Sequence, residues 1–439
     1  METYKETYTR KNSNSIITLS KQTTPAYTIN EYASAYCRAF QNGHWGIAYG
    51  QDLTKSGLSS LESQAIQNIQ PPPTPPSQHN PPTKLCLPPG QTKSIIFPET
   101  PALKEAKLHK LGQFFHDFIT SKCPKLEDWQ LTIKAQWEEK HLTTTTGASL
   151  TSVMPEITLC IKLTAGGYTL EESYGMPLPC DLINKTGVCK AISSLYKHLR
   201  RKTNTIPVKK GRTTCIIAPQ MASKILGLTI GQHAKADVMQ NCFPYAVFLR
   251  IPSLSQKVSV IDYANGAFRQ MCPFPVFMDD EGVVANNVSL IGQGQMDLCM
   301  TNRETAGTMD MPLTGNARTA SHKSGPSIHP RNLALMPWDD SVPDMIASIQ
   351  DGYYLVDGNN GQWGRNGSFA LDTTIGYRIK NGRVCESIAD AKVSGSMLEF
   401  LKSISMVSND FNWHFNGDIN DEIKIAYGAP TIKACLHLN

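Results

Sequence analysis

The cysteines lack the arrangement of a disulfide scaffold or a zinc finger. The sequence has 12 cysteines among 439 residues, but no C-x-x-C pair and no Cys/His cluster at zinc-finger spacing. Even the closest pair, Cys180 and Cys189, is nine positions apart. This spacing argues against a small secreted disulfide-bonded protein, and we expect reduced thiols in a cytoplasmic protein.

Long apolar runs and a strong net charge are also absent. No run approaches the roughly 18 apolar residues of a membrane span, and the opening M-E-T-Y-K-E-T-Y has no apolar signal segment. Charged residues make up 18% and the net charge is +5, which is too weak to indicate a nucleic-acid partner. The densest basic run, Lys197–Lys202, fits a solvated helix end or, alternatively, a phosphate contact.

The apolar content of 40% and the length allow two domains with cores of their own. Asn42–Gly43 and Asn381–Gly382 are hairpin turn signals between strand-like runs. Gly211 is a candidate domain boundary, because it separates a basic stretch from the buried-looking strand T-T-C-I-I-A. The proline-rich segment Pro71–Pro89 predicts an extended, solvated insertion loop, or a ligand for a proline-reading module.

Apolar residues recur at helical spacing in several segments. These stripes are Leu58, Leu61, Ala65 and Ile69; Leu108, Leu111, Phe115, Phe118 and Ile119; Val188, Ile192, Leu195 and Leu199; and Leu398, Leu401 and Ile404. A capping box at Ser341 and Asp344 predicts one more helix. The second half is richer in strand patterns, including Val258–Asp262, Tyr353–Val356 and Ile375–Ile379.

The segment Ala218–Asp237 reads A-P-Q-M-A-S-K-I-L-G-L-T-I-G-Q-H-A-K-A-D. It resembles the metal-site helix of the TldD/PmbA (TldD–TldE) peptidase family, whose catalytic members carry H-E-x-x-x-H there. In an ungapped alignment the two histidines fall on Gly227 and Gln232, and the glutamate falls on Leu228. These side chains neither bind zinc nor act as a base. The resemblance implies a helix that retains its packing and has lost its metal chemistry.

Other segments resemble the family in the same order along the chain. They are Cys37–Asp52, Phe277–Ala285 with D-D-E-G-V-V-A, Thr314–Arg318 (T-G-N-A-R), Arg331–Leu335, Ile349–Val356 (I-Q-D-G-Y-Y-L-V), Gly395–Asp410 and Tyr427–Thr431. The resemblance implies an α+β fold of two domains. Residues 1–210 would form an N-terminal α/β sandwich-like domain, and residues 211–439 a C-terminal barrel-like β domain with the degenerate metal-motif helix buried in it.

The remaining metal positions of the family are also changed. Catalytic members have a late cysteine ligand, and Asn416 stands at the nearest aligned position. A shift of one position would place His233 on the second histidine, but Leu228 and Thr229 would then occupy the other two positions. The resemblance therefore implies no catalytic residue and no metal ligand in this chain, with zinc expected only in a catalytic partner subunit.

Two turns carry residues that are candidates for peptide or partner contact. Asp279, Asp280 and Glu281 could hold a cation or a partner's N–H groups, or could cap and orient neighbouring backbone. Asn316 and Arg318 lie in the G-N-A-R turn. The Arg318 fork could hold a peptide carboxylate, or could form an internal ion pair, including one with the acidic loop.

A glycine-rich loop supplies two further candidates. Gly358–Gly367 lacks the lysine and the strand–helix context of a phosphate-binding loop. In the family the corresponding loop follows a strand near the cleft. Trp363 and Arg365 are therefore candidates for contact with a substrate or a partner.

The resemblance leaves functions of different classes open. The first is a non-catalytic TldE/PmbA-like subunit that pairs with a zinc-dependent TldD-type peptidase, or with itself. Such a pair would bind and process unfolded or leader peptides, in peptide natural-product maturation or small-protein degradation. The alternative is a repurposed, zinc-independent enzyme of the same fold in natural-product biosynthesis. The gyrase-modulator role for which the family was named is a weaker third hypothesis.

Overall fold

The computed structural model describes residues 3–22, 25–69, 92–97, 105–177, 183–202, 204–242, 254–320, 325–415 and 421–439. The predicted proline-rich loop Pro71–Pro89 and the motif position Asn416 lie outside these ranges. Within these ranges, no helix combines the length and apolar character needed to span a membrane.

The first half is built on one seven-stranded sheet. Its strands are β1 (Tyr4–Ser20), β2 (Ala26–Gln41), β3 (His44–Gly50), β4 (Thr92–Ile96), β5 (Asp128–Thr144), β6 (Ser149–Ala165) and β7 (Tyr168–Pro177). The order is β3-β2-β1-β5-β6-β4, and β7 also pairs with β6. The β4–β6 pair is parallel and the other pairs are antiparallel. β7 thus lies at an edge of the sheet.

Three helices accompany this sheet: α1 (Lys55–Gln67), α2 (Glu105–Lys122) and α3 (Lys185–Lys202). They confirm the three predicted apolar stripes of the first half. Leu61 and Ala65 of α1 are buried on the strand pair β2–β3. The stripe of α2 is buried on β1 and β5, and the stripe of α3 on β6 and the edge strand β7. The resulting core extends to Ile375 and Tyr377, so it includes side chains from the second half.

The second half contains many short strands and a few long ones. They are β8 (Thr205–Ile206), β9 (Gly211–Ile217), β10 (Val260–Tyr263), β11 (Gly266–Ala267), β12 (Gln270–Met271), β13 (Val288–Gly292), β14 (Gln295–Met296), β15 (Ala317–Arg318), β16 (Ser327–Ile328), β17 (Asn332–Leu335), β18 (Asp351–Trp363), β19 (Ser368–Lys380), β20 (Arg383–Ile388), β21 (Ala391–Ser396), β22 (Met406–Val407), β23 (Asn412–Phe415), β24 (Ala426–Ala429) and β25 (Ile432–Leu438).

A closed barrel and an open sheet organise these strands. The order β18-β9-β25-β21-β19 closes into a five-stranded barrel, because β19 also pairs with β18. The open sheet has the order β14-β13-β10-β17-β24-β23, which leaves β23 at an edge. The fold is therefore α+β with a barrel in its second half, as the sequence predicted.

The helices of the second half are α4 (Pro219–Leu228), α5 (Ile230–His233), α6 (Ala236–Cys242), α7 (Arg303–Met309), α8 (Val342–Ala347) and α9 (Met397–Ser403). α4 packs between barrel strand β18 and strands β17, β23 and β24 of the open sheet. Met221, Ile225 and Leu226 on α4 are buried in this core. α4 is thus the buried helix that the sequence predicted.

The motif helix is not continuous, which differs from the expectation. Thr229 has φ −104° and ψ −95°, and it separates α4 from α5. Its hydroxyl group donates to the carbonyl oxygen of Ile225 at 2.7 Å. A threonine hydroxyl that bonds back to the preceding turn competes with the helix ladder. Gly227 and Gln232 consequently lie on different helices.

Candidate functional site

A cleft of about 780 Å³ lies between the two halves of the molecule. Its walls come from β7 (residues 169–173), from α4 and α5, from β18 (residues 357–361), and from the edge strand β23 with Tyr427 of β24. The cleft is therefore bordered by the edge strand of the first sheet, the edge strand of the open sheet and the helix that carries the altered motif.

The structure brings three of the four altered motif positions together. Gly227, Leu228 and Gln232 all line the cleft. At Gly227 a Cβ atom would lie 3.0 Å from ring carbons of Tyr427, so this ring occupies the space that a side chain there would need. Leu228 packs against Gly361 of β18. Both substitutions thus fit the packing of the cleft wall.

The neighbouring polar side chains already have contacts within the protein. The Gln232 side-chain oxygen accepts a hydrogen bond from Lys235 Nζ at 2.8 Å. His233 is 7% exposed, and its Nδ1 and Nε2 atoms lie 2.9 Å and 3.0 Å from the carbonyl oxygens of Thr229 and Gly364. Each imidazole nitrogen therefore faces a backbone carbonyl oxygen, and the nitrogen that carries the N–H donates to its carbonyl group. His233 thus contacts both the start of α5 and the β18–β19 hairpin.

The residues at this wall do not fit a catalytic zinc ion, which needs about three nitrogen, sulfur or carboxylate ligands. Glycine and leucine offer no ligand atom, and the Gln232 amide already has a partner. In the part of the chain that the structure describes, no three His, Cys, Asp or Glu side chains are grouped so that they could hold a metal ion.

The charged groups of the cleft come from residues outside the motif positions. Lys224 on α4 donates to Asp357 Oδ1 at 2.6 Å and to the carbonyl oxygen of Gly358 at 2.7 Å. Burial raises the pKa of Asp357, although the Lys224 ammonium opposes this shift. Lys224 thus joins the motif helix to barrel strand β18.

Glu172 on β7 has a strongly shifted pKa. Burial raises the pKa of its carboxyl group to about 7, and the charge of Asp357 adds to the shift, while Tyr174 and Lys224 oppose it. Glu172 makes no ion pair with any described residue, and it lines both this cleft and an adjoining cavity of about 430 Å³. A carboxyl group with this pKa can give or take a proton near neutral pH.

His414 on β23 lies at the same junction between the two cavities. Burial and the nearby Lys224 ammonium lower its pKa to about 3, so its imidazole is neutral at physiological pH. Its Nε2 atom is buried and has no hydrogen-bond partner in the described structure. The junction therefore holds a carboxyl group and a neutral imidazole.

The three carboxylates of the acidic loop have partners inside the protein, and contact with a peptide or partner stays a prediction. Asp279 accepts hydrogen bonds from the backbone N–H groups of Glu281, Val283 and Ala317. Asp280 pairs with Lys140 at 3.0 Å, and Glu281 pairs with Arg38 at 2.9 Å. All three carboxylates are buried. The alternative prediction, a loop that caps and orients backbone, matches these contacts.

The G-N-A-R turn is internal as well. Asn316 Nδ2 donates to Asp262 Oδ2 at 2.7 Å, and Asp262 forms a fully buried ion pair with Arg331. Arg318 Nη1 donates to the carbonyl oxygen of Lys424 at 2.7 Å. Arg318 is half-buried and has an internal partner in this carbonyl group, whereas Asp280 pairs with Lys140. Neither Asn316 nor Arg318 lines the cleft.

Trp363 and Arg365 lie at the tip of the β18–β19 hairpin, beyond the cleft-lining residues 359–361. Trp363 is 38% exposed and packs edge-on against His233, with ring centroids 5.4 Å apart. Arg365 is exposed. The structure places both at the rim of the cleft, where contact with a substrate or partner stays a prediction.

Sequence reasoning missed Lys224, Glu172 and Asp357. Lys224 precedes Gly227 by three positions and Leu228 by four on the same helix, and this spacing puts all three on one face. The sequence alone therefore indicated that Lys224 shares a helix face with these two motif positions. Glu172 and Asp357 reach the cleft from separate sheets, so no local pattern could have joined them.

Comparison with protein families gives matches over about half of the chain. The model described as the PmbA/TldA metallopeptidase C-terminal domain matches residues 210–434, just over half of the chain. A zinc metalloprotease TldD homologue of Saccharolobus solfataricus is 28% identical over 254 residues, which cover 56% of this chain and 55% of that protein. A metalloprotease of Methanocaldococcus jannaschii is 32% identical over 209 residues, covering 47% of this chain and 45% of that protein. The chain thus spans about half the length of the curated relatives it matches.

Solved structures share the fold over nearly the whole chain. A protein of Thermotoga maritima, described as a modulator of a DNA gyrase, has a TM-score of 0.78 at 17% identity, with 100% of this chain and 96% of that chain covered. TldE of Thermococcus kodakarensis has a TM-score of 0.73 at 16% identity, with 99% and 96% covered. At such identities the likeness establishes the fold alone.

Proposed function

We infer the function from one premise: the chain belongs to the PmbA/TldD metallopeptidase family. We propose that it is a non-catalytic, TldE-like subunit. In this role it binds an extended, unfolded peptide in its cleft and pairs with a zinc-bearing, TldD-type subunit that cleaves the peptide. Zinc would belong to the partner and not to this chain.

The observation that carries the proposal is the wall of the cleft at Gly227. The Tyr427 ring covers the position where catalytic relatives have a histidine, and Leu228 packs on Gly361 where they have a glutamate. Both imidazole nitrogens of His233 face backbone carbonyl oxygens. The cleft has kept a peptide-sized volume of about 780 Å³ while its wall offers no ligand set for zinc.

The position of the sheet edges supports peptide binding. In the described chain β7 forms strand pairs only with β6, and β23 only with β24, while β7 and β23 lie close to each other beside the cleft. Residues of both strands line the cleft. An extended peptide can add to such an edge through main-chain hydrogen bonds, which provide affinity with little sequence preference. This mode suits unfolded or leader peptides of varied sequence.

Zinc stoichiometry and hydrolysis by the isolated chain test the proposal. We expect the purified protein, incubated with excess zinc and then desalted, to retain much less than one zinc per chain by elemental analysis. We also expect no cleavage of an unfolded peptide. One tightly held zinc per chain together with cleavage would overturn the proposal.

A repurposed enzyme is the second candidate, and the junction of Glu172 and His414 favours it. A carboxyl group with a pKa of about 7 is suited to proton transfer without a metal, and the neutral imidazole beside it can act as a hydrogen-bonding partner for a substrate. Turnover of a small substrate by the isolated chain, lost in Glu172→Gln and kept in Glu171→Gln, would establish this second function. Absence of turnover in the wild type would leave the subunit role.

A further inference from the structure

The cleft continues into the adjoining cavity of about 430 Å³, which lies between α3 and the barrel. Glu172, Gln220 and His414 line both spaces, so they mark the passage from one to the other. We call the adjoining cavity the side pocket; its walls come from these three residues, from α3 residues between Gly187 and His198, and from barrel residues that include Val356 and Ile375. The side pocket is thus reached from the cleft past a carboxyl group and an imidazole.

The side chain of Glu172 lies on the face of β7 that α3 covers. Side chains alternate between the two faces of a strand, so Leu170, Glu172 and Tyr174 share one face. Leu170 is buried in the core beneath α3, and Tyr174 packs against that core. A peptide strand added to the outer edge of β7 would place one residue opposite Glu172, with its side chain on the same face. That side chain would point to the side pocket.

Acidic side chains outnumber basic ones along the cleft. The acidic residues that line it are Glu171, Glu172, Asp357 and Asp421, and Lys224 is the one basic residue among its described lining residues. Lys224 already pairs with Asp357 at 2.6 Å, and Glu171 pairs with Lys162 at 3.0 Å. Glu172 forms no ion pair with a described residue. Its carboxylate therefore lacks a cation at the entrance of the side pocket.

His414 adds a second polar group without a partner at this entrance. Its Nε2 atom is buried and has no hydrogen-bond partner in the described structure. Because burial lowers the pKa of the imidazole to about 3, the ring is neutral and one of its nitrogens can accept a hydrogen bond. An apolar side chain would leave both groups unsatisfied, which is costly in a buried site. An anionic side chain would be repelled by Glu172, whereas a cationic side chain satisfies both groups.

The surrounding walls suit the stem of a long basic side chain. Lysine and arginine pack their methylene groups on apolar surface while the charged end reaches a polar group. Leu371 in the cleft and Ala191 and Val356 in the side pocket provide such surface. The other basic groups of the side pocket do not oppose a cation. Lys190 is exposed, and burial lowers the pKa of His198 to about 4, so its imidazole is neutral.

We propose that the side pocket is a specificity pocket for one basic side chain, lysine or arginine, of the bound peptide. The Glu172 carboxylate pairs with the ammonium or guanidinium group, and His414 accepts a hydrogen bond from it through Nε2. The inference rests on the proposed peptide binding and adds the class of peptide that the cleft selects. The edge of β7 holds the main chain, and Glu172 determines which residue lies opposite it.

Two matched peptides test this assignment. Each is a short, labelled, unstructured chain of glycine, serine and alanine, with a central lysine in one and a central norleucine, which has a similar length and no charge, in the other. At pH 8, where Glu172 with its pKa of about 7 is ionised, the full chain should bind the lysine peptide about tenfold or more tightly by fluorescence anisotropy. Glu172→Gln should abolish this preference. Glu399→Gln, at an exposed carboxylate outside both cavities, is the matched control and should keep it.

A variant that fills the side pocket gives an independent readout. In Ala191→Phe the lysine peptide should bind no more tightly than a peptide with a central glycine, which leaves the pocket empty. Equal affinity of the wild type for the lysine and norleucine peptides, or a lysine preference that survives Glu172→Gln or Ala191→Phe, would overturn the specificity pocket and leave peptide binding in place. A wild type that binds none of these peptides would overturn the proposed peptide binding as well.

Discussion

At the scale of single residues, the cleft wall is closely packed at the positions that align with the family's metal motif. The Tyr427 ring lies over Gly227, and Leu228 contacts the backbone of β18 at Gly361. Each substitution removes a polar side chain from the wall and leaves a surface that its neighbours cover. Reversing one of them therefore affects packing as well as chemistry.

We predict that Gly227→His destabilises the protein by about 1–3 kcal/mol, the usual cost of overpacking a filled site. A Cβ atom there already lies 3.0 Å from the Tyr427 ring, so the ring must move. Urea denaturation measures the change, with Gln232→His as the control because Gln232 faces the open cleft. Equal stability of both variants would contradict the packing account.

Glu172 gives a prediction about pH. Its pKa is raised from 4.5 to about 7 in the folded protein, so the unfolded chain releases this proton first as the pH rises. The raised pKa of Glu172 therefore lowers the free energy of unfolding as the pH rises from about 4.5 to about 7. The total decrease is about 3 kcal/mol.

Glu172→Gln should accordingly be more stable than the wild type at pH 8, by about 2–3 kcal/mol, with a smaller difference at pH 4.5. Urea denaturation at both pH values measures this. The matched control is Glu171→Gln, since Glu171 is 48% exposed and pairs with Lys162. A Glu172→Gln variant whose stability tracks the wild type at every pH would show that the carboxyl group is not buried.

At the scale of elements, the sequence predicted the helices and hairpin turns that depend on local residue patterns. The stripes of α1, α2 and α3 are buried as expected, and turns with glycine at positive φ lie at Asn42–Gly43 and Asn381–Gly382. The break at Thr229 was missed, although Gly227 and Gly231 flank it and glycine lowers the stability of a helix. Its cause is a side-chain hydrogen bond that only the folded helix shows.

The acidic loop illustrates a second limit of the sequence. Its carboxylates are satisfied by residues from distant parts of the chain, including Arg38 and Lys140 of the first sheet. Burial opposes ionisation of Glu6 on β1, but the guanidinium groups of Arg303 and Arg38 outweigh it and lower its pKa. No local pattern distinguishes such a buried network from an exposed acidic turn.

Arg303 on α7 connects the two halves through this network. It is fully buried, pairs with Glu6 and donates to the Tyr4 hydroxyl at 2.6 Å. We predict that Arg303→Ala costs about 3–5 kcal/mol, because it leaves the Glu6 carboxylate buried without a full partner. Arg378→Ala, which removes a surface pair with Asp351, should cost less than about 1 kcal/mol. Similar unfolding midpoints for the two variants would contradict this assignment.

At the scale of the whole molecule, the family resemblance predicted the α+β fold and the barrel of the second half. It also predicted a buried motif helix, which the structure places in the wall of the cleft. It did not predict the composition of the cleft, because β7, α4, β18 and β23 meet there from distant parts of the sequence. The ion pair between Lys224 and Asp357 and the raised pKa of Glu172 arise only where these elements come together.

Cleavage of an unfolded peptide by a zinc-bearing, TldD-type relative, measured with and without this chain, tests the central claim most directly. We predict no cleavage by this chain alone, and a rate for the relative that rises when the chain is added and saturates at a fixed ratio. Trp363→Ala, at the rim of the cleft, should reduce this increase. An equal rate for the relative alone, or cleavage by this chain unaided, would contradict the account.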